Sequence, residues 1–263
     1  MKKILITGGG GSMGTALVDG LRESGLYDVV GTARRPKEER GEVLLDVRDL
    51  ERCIEVLKGV DMVVHLAFWM RNTDFVEQGI PTNIEGTYNI YEAARINGVK
   101  RVIFGSSNHV FGFYPMDADV GDYDEYRPDS YYGLCKCAAE LIGRYYSDRF
   151  GISSFNIRIG HFRRTIIPEE TVDAKRFAPG VRELNQLLTS RDAVQLIKCC
   201  IEADPAIMYK CFPGTSGNSG NFWDTSRLKD ELGYEPEDDG SSFITPETNR
   251  NVTQYKGGAF PFM

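Results

Sequence analysis

Tyr132 and Lys136 stand four residues apart in Tyr132-Gly133-Leu134-Cys135-Lys136, and on a helix that spacing puts both side chains on one face. Such a pair can move a proton. A free phenol, with a pKa of about 10, is a poor base at neutral pH. An ammonium beside it favours the phenolate and brings it toward the working range. Upstream, the apolar run Val102–Phe104 ends in Gly105-Ser106-Ser107-Asn108-His109. A serine at the carboxyl end of a strand can hydrogen-bond a reacting oxygen and hold it against Tyr132. We assign Ser106 to capping the strand and Ser107 to catalysis, so the candidate catalytic set is Ser107, Tyr132 and Lys136.

A second cluster suits phosphate. The run Ile4-Leu5-Ile6 leads into Thr7-Gly8-Gly9-Gly10-Gly11-Ser12-Met13-Gly14, and a helical pattern follows. Glycine permits the tight turn and the close approach to a pyrophosphate, and the helix start offers free N–H groups. The string fits Gly8-x-x-Gly11-x-x-Gly14 and Gly9-x-Gly11-x-x-Gly14 alike, so spacing leaves the subtype open. Its place between a first strand and a first helix marks it as a dinucleotide loop, with Gly8, Gly11, Ser12, Met13 and Gly14 as candidate contacts. The second strand, Val29-Val30-Gly31-Thr32-Ala33, ends without the usual carboxylate for a ribose 2′-hydroxyl and is followed by Arg34 and Arg35. Two guanidinium groups suit a 2′-phosphate, which makes NADP the expected cofactor and NAD the alternative.

These residues need a frame. Apolar runs at Ile4–Ile6, Val29–Val30, Val43–Leu45, Met62–Leu66, Val102–Phe104 and Phe155–Ile159 alternate with helical spacings. The helical sets are Met13, Ala16, Leu17 and Leu21; Ile84, Tyr88, Tyr91 and Ala94; and Ala138, Leu141, Ile142 and Tyr145. Alternation of this kind predicts an α/β fold, a Rossmann-type doubly wound parallel sheet with its ligand at the carboxyl ends of the strands. The chain is expected to form a single domain, with residues 1–160 as the dinucleotide-binding core and 161–263 as a small C-terminal substrate lobe and tail. Residues 161–189 lack periodicity and are taken as loop or lobe. Beyond them a helix at Asp192–Ala203, a strand at Ile207–Phe212 and a helix at Thr225–Leu232 are expected. The tail from Glu235, rich in Gly, Pro and Asp, is expected to be partly disordered or wrapped over the surface.

Composition narrows the functional classes. Of 263 residues 26% are charged, the formal net charge is −7, and no Lys/Arg-rich run occurs. Nucleic acid and anionic membrane are therefore excluded as principal partners. The first apolar run is too short for a signal peptide or a membrane span, and a cytoplasmic location is expected. Cys53, Cys135, Cys137, Cys199, Cys200 and Cys211 form no C-x-x-C pair and have no zinc-like spacing to histidine, so reduced packing cysteines are expected. The acidic stretch Asp117–Asp129 fails the EF-hand template and is taken as a solvated loop over the mouth of the site. No metal is expected.

Taken together, the glycine loop, Asp46, His65-Leu66-Ala67, Asn83 in Asn83-Ile84-Glu85-Gly86-Thr87, Ser107 and Tyr132-x-x-x-Lys136 resemble the extended short-chain dehydrogenases of the NAD-dependent epimerase/dehydratase superfamily. Ser106-Ser107-Asn108-His109, Tyr114-Pro115, Arg158-Ile159-Gly160, Trp223-Asp224-Thr225-Ser226 and Gly257-Gly258-x-Phe260 resemble uronate dehydrogenases and related sugar dehydrogenases. The resemblance spans most of the chain. It implies cofactor contacts at Asp46, Val47, Leu66, Ala67, Asn83, Tyr132, Lys136 and Ile159. It also implies oxidation at C1 of a cyclic sugar or sugar acid to a lactone, with Ser107 and Tyr132 on the C1 hydroxyl and Asn108 and His109 on other hydroxyls. A homodimer is the family's expectation.

The chain departs from that pattern in three places. Phe68-Trp69-Met70-Arg71 stands where a small polar substrate-binding residue is usual, His161 replaces a serine, and the segment to Ser190 is longer. His161, Arg163 and Arg164 remain candidate substrate contacts, with Arg182 a further candidate for a substrate anion. Two other readings stay open: a sugar (nucleotide) epimerase or dehydratase that returns its hydride, and a non-catalytic NADP sensor. Retention of Ser107, Tyr132 and Lys136 argues against the sensor, which has no need of a phenolate.

Overall fold

The computed structural model describes residues 1–71, 73–115, 125–164, 181–221 and 223–244. Most of the acidic loop and the Gly257–Phe260 stretch lie outside them. Seven parallel strands form the main sheet: β1 Lys2–Thr7, β2 Tyr27–Ala33, β3 Val43–Leu44, β4 Met62–His65, β5 Arg101–Ser107, β6 Ser153–Ile159 and β9 Tyr209–Gly214, in the order β3-β2-β1-β4-β5-β6-β9. This is the doubly wound sheet expected. Every residue of β5 is buried, as a strand covered on both faces requires.

Alternation along the strands separates two cores. Ile4, Ile6, Val64, Ile103 and Phe155 point to one face, which α1 (Ser12–Glu23) and α6 (Ser190–Glu202) cover with Leu17, Leu21, Leu196 and Cys200. Leu5, Val63 and Val102 point to the other, packing on Cys53 of α2 (Leu50–Val56), Ile90 and Tyr91 of α3 (Gly86–Asn97) and Tyr146 of α4 (Tyr131–Phe150). A Cβ on Gly20 would lie 2.5 Å from Val194 Cγ2, so α1 and α6 meet closely because that position is bare.

Arg101 is buried at the foot of β5, and backbone rather than carboxylate receives its guanidinium. It donates to the Cys200, Ala203 and Asp204 carbonyls at 2.7, 3.0 and 2.8 Å, and its Cζ lies 4.2 Å from the Phe155 ring centroid. The cation thereby closes the carboxyl end of α6, where carbonyls lack helical partners and the helix dipole is negative.

Three features differ from the sequence expectation. The chain between β4 and α3 forms a π-helical segment, Phe75–Glu85, that holds Gly79 and Pro81, and this composition hides a helix from periodicity alone. Within 161–189 the chain makes β7 (His161–Arg163), α5 (Val181–Asn185) and β8 (Leu187–Thr189), and β7 pairs with β8 in a two-stranded parallel sheet. Each piece is too short to leave a periodic signal. The helical stripe at Leu141 and Tyr145 faces outward, whereas Ala139, Gly143 and Tyr146 face the core. The expected second half is otherwise present as α6, β9 and α7 (Ser226–Leu232). Among the described residues, no helix is long and apolar enough to cross a membrane.

Candidate active site

The residues with chemistry gather at the carboxyl ends of the strands. Thr7 ends β1, Ala33 β2, His65 β4, Ser107 β5 and Ile159 β6, which is the edge where an open parallel sheet takes its ligand. The glycine loop lies across it. Gly8 has φ +70°, and a Cβ there would lie 2.9 Å from Ala67 N; a Cβ on Gly14 would lie 2.1 Å from Gly8 O. No side chain fits at either position, while Gly10, Gly11 and Ser12 are exposed. Gly11 caps α1 without a side-chain bond, leaving first-turn N–H groups for an anion. The cradle fits a pyrophosphate.

Thr7 fastens the loop to β4. Its hydroxyl oxygen accepts from Leu66 N and Ala67 N at 3.1 Å each and lies 2.7 Å from His65 Nδ1; His65 Nε2 lies 3.2 Å from Thr87 Oγ1. Thr87 spends its proton on Asn83 O at 2.6 Å. His65 therefore donates from Nε2 and accepts at Nδ1, and burial holds its pKa down to about 3. It is a neutral structural histidine.

α4 starts at Ser130, whose hydroxyl accepts from Gly133 N at 3.0 Å, and this N-cap brings Tyr132 and Lys136 to the edge together. The Tyr132 hydroxyl interacts with Ser107, a bond that pulls the phenol's pKa down, yet burial prevails and pushes it up to about 12. Lys136 donates to Gly105 O at 2.5 Å, and burial takes its ammonium down to about 7. Burial thus works against the pairing that spacing alone implies. For each group desolvation outweighs what acts against it, the Ser107 bond on the phenol and the Glu140 charge on the ammonium. Phe68 adds to the burial, its ring centroid 3.5 Å from Lys136 Nζ and its plane at 90° to the Tyr132 ring.

Ser107 has more than one task. Its oxygen accepts from His109 N at 3.3 Å, capping the 3₁₀ turn Asn108–Phe111, and it donates to Asn108 Oδ1 at 3.1 Å. Asn108 Nδ2 donates in turn to Gln186 Oε1 at 3.0 Å. His109 lies edge-on to Tyr132, with 5.5 Å between centroids, and its Nδ1 lies 2.8 Å from Asp129 Oδ1. The structure thus brings Ser107, Asn108, His109, Tyr132 and Lys136 into one site. Of the arginine candidates, Arg182 is half-buried and feels the Asp129 carboxylate behind His109, whereas Arg163 Nε donates to His161 Nε2 at 3.0 Å and Arg164 is exposed. Burial and Arg163 lower the His161 pKa.

The remaining cofactor candidates border the crevice. Arg34 and Arg35 are exposed just past β2. The Asp46 carboxylate is held by Arg48, with 2.5 Å to Nη2, which lowers its pKa. Val47 is buried, its carbonyl accepting from Asn89 Nδ2 at 2.9 Å. Asn83 clamps the Trp69 peptide from both sides, at 2.6 and 3.0 Å, and so fixes the segment carrying Leu66, Ala67 and Phe68. Ile159 and Leu66 close over Gly105. Among the described residues, no group of three His, Cys, Asp or Glu side chains is placed to hold a metal ion.

Sequence reasoning missed Asp129, Gln186 and Glu140. Glu140 lies one turn past Lys136 on α4, fully buried, and accepts from Ser106 Oγ at 2.5 Å, Arg158 Nη2 at 2.8 Å and Tyr126 OH at 2.9 Å. Ser106 therefore does not cap the strand; its hydroxyl belongs to this buried carboxylate, and the capping falls to Ser107. The i+4 spacing from Lys136 is the signal that marks Glu140, and the N-cap at Ser130 marks Asp129. Nothing local marks Gln186.

A parallel doubly wound sheet with a glycine cradle, a serine at the end of β5 and tyrosine and lysine one turn apart on α4 defines the short-chain dehydrogenase class. The chain belongs to the NAD dependent epimerase/dehydratase family, whose model matches residues 4–163. It is 34% identical to a uronate dehydrogenase of Pseudomonas putida over 98% of this chain and 95% of that protein. It is 32% identical to an L-arabinose 1-dehydrogenase (NAD(P)(+)) of Haloferax volcanii, over 93% and 100%. A crystal structure of mutant uronate dehydrogenase from Agrobacterium tumefaciens complexed with NAD superposes with a TM-score of 0.82 at 30% identity, covering 99% of this chain and 92% of that one.

Proposed function

We propose that this protein is an NAD(P)-dependent dehydrogenase that oxidises the C1 hydroxyl of a cyclic sugar or uronic acid to a lactone. The observation that carries the reading is the meeting of Ser107, Tyr132 and Lys136 beside the glycine cradle. Gly8, Gly11, Ser12, Met13 and Gly14 hold the pyrophosphate, with Asp46, Val47, Leu66, Ala67, Asn83 and Ile159 along the rest of the dinucleotide. The nicotinamide, when bound, takes the hydride from C1. Ser107 holds the C1 oxygen, and Tyr132 removes its proton as the C=O bond forms. Lys136, whose Nζ lies 5.3 Å from the Tyr132 ring centroid, supplies the positive charge that stabilises the phenolate. Asn108 and His109, with His161, Arg163 and Arg164 from the small lobe, bind the rest of the sugar, and Asp129 orients the His109 ring. Arg34 and Arg35 support NADP.

Mixing the protein with NAD or NADP and a panel of uronates, aldoses and sugar phosphates is expected to raise absorbance at 340 nm with one sugar class. A flat trace across the panel, with cofactor demonstrably bound, would overturn sugar oxidation. Product that forms without net cofactor reduction would mean an epimerase.

The working unit we propose is a cytoplasmic homodimer. Six cysteines, all unpaired, suit a reducing compartment. Tyr88 on α3 and Leu134, Leu141 and Tyr145 on α4 are exposed, a stripe of apolar side chains with helical spacing that a second copy would cover. Leu141→Glu is expected to halve the mass measured by light scattering. An unchanged mass would place the contact elsewhere.

A further inference from the structure

The end of β2 lacks a carboxylate, but the fold brings one there from elsewhere. Glu42, the residue before β3, has a side chain only 2% exposed. A Cβ on Gly10 would lie 3.7 and 3.8 Å from its two carboxylate oxygens and 3.4 Å from Ala33 Cβ, and one on Gly31 would lie 3.9 Å from Glu42 Cγ. The carboxylate therefore sits directly beneath the exposed tip of the glycine loop, against the end of β2. At Gly10 the loop covers the carboxylate with backbone alone.

Its neutralisation is incomplete. Lys37 N donates to Oε2 at 2.9 Å, whereas Oε1 has no hydrogen-bond partner among the described residues and faces Arg40 Nε at 3.4 Å. Arg40 is engaged elsewhere, with Nη2 2.7 Å from Asp19 Oδ1. One cation thus serves two carboxylates, which leaves the floor of this corner negative while Arg34 and Arg35 stand exposed at its rim.

We propose that Glu42 is a selectivity residue for the cofactor, a negative pole beneath Gly10 that tolerates a ribose 2′-hydroxyl and opposes a 2′-phosphate. This rests on the dinucleotide reading of the loop. The rim arginines and the floor carboxylate pull in opposite directions, so the chain accepts both NAD and NADP, and Glu42 limits the advantage of NADP. A unit charge at this range in partly solvated surroundings is worth about tenfold in affinity.

The test is to titrate NAD and NADP separately into the parent protein, Glu42→Gln and Arg40→Gln, and to follow binding by calorimetry without substrate. Glutamine keeps an oxygen for Lys37 N–H and removes the charge. The ratio of NAD to NADP dissociation constants is expected to rise about tenfold in Glu42→Gln and to fall in Arg40→Gln, where the carboxylates lose their shared cation. An unchanged ratio in both variants, or a shift toward NAD in Glu42→Gln, would overturn the proposal and leave the dinucleotide reading standing. A parent protein that binds neither cofactor would overturn both.

Discussion

Tyr132→Phe is expected to lower kcat by about 10³–10⁴-fold while leaving the dissociation constant of the dinucleotide nearly unchanged. The substitution removes one oxygen and keeps the ring, so the edge contacts with Phe68 and His109, at 5.7 and 5.5 Å between centroids, persist. Ser107 keeps Asn108 and the His109 amide as partners. The group lost is the proposed base. Binding measured by titration and turnover measured under saturating sugar and cofactor together check this outcome. Retention of a tenth or more of the parent kcat would remove Tyr132 from the proton transfer, and parallel loss of binding and turnover would mean that the ring shapes the site instead.

The second large effect is on stability. Glu140→Ala is expected to cost about 3–5 kcal/mol in urea unfolding, the range found when one partner of a buried ion pair is removed. Arg158, almost fully buried with its Cζ 4.5 Å from the Phe111 ring centroid and 5.8 Å from that of Tyr126, would lose the buried carboxylate that holds it at 2.8 Å. Ser106 and Tyr126 would lose an acceptor with it, and each deserted polar group adds its own desolvation cost. A loss below about 1 kcal/mol would show that water or another side chain takes over, as at an exposed pair. Because Ser106 is bonded to Glu140 and adjoins Ser107, the same variant should also loosen Ser107, the proposed catalytic serine.

The legible part of this protein lies in segments where cause is local. The glycine run after Ile6 requires a backbone without side chains, which sequence displays openly. Tyr132 and Lys136 share a helix, so their spacing alone places them together. The strands of the main sheet, buried on both faces, read as short apolar runs, and their alternation with helical spacings is enough for the parallel architecture. The stripe at Leu141 and Tyr145 shows the limit of that signal. Periodicity reports an apolar face and cannot say whether the core or a second copy covers it.

The pairing of Tyr132 with Lys136, the cradle at Gly8–Gly14 and the alternation that builds the main sheet can be read from the chain before it folds, because each depends on neighbours within one or two turns or on the two-residue and 3.6-residue repeats of regular backbone. Packing between distant segments is what sets Glu42 beneath Gly10, Gln186 on Asn108, Glu140 among Ser106, Tyr126 and Arg158, and Phe68 against Lys136. These contacts join residues from separate elements, and each depends on how helices and loops pack across the sheet edge. The same packing sets the charge state of the site. Burial moves the Tyr132 and Lys136 pKa values to about 12 and about 7, and desolvation is a property of everything that surrounds a group, which no local spacing records.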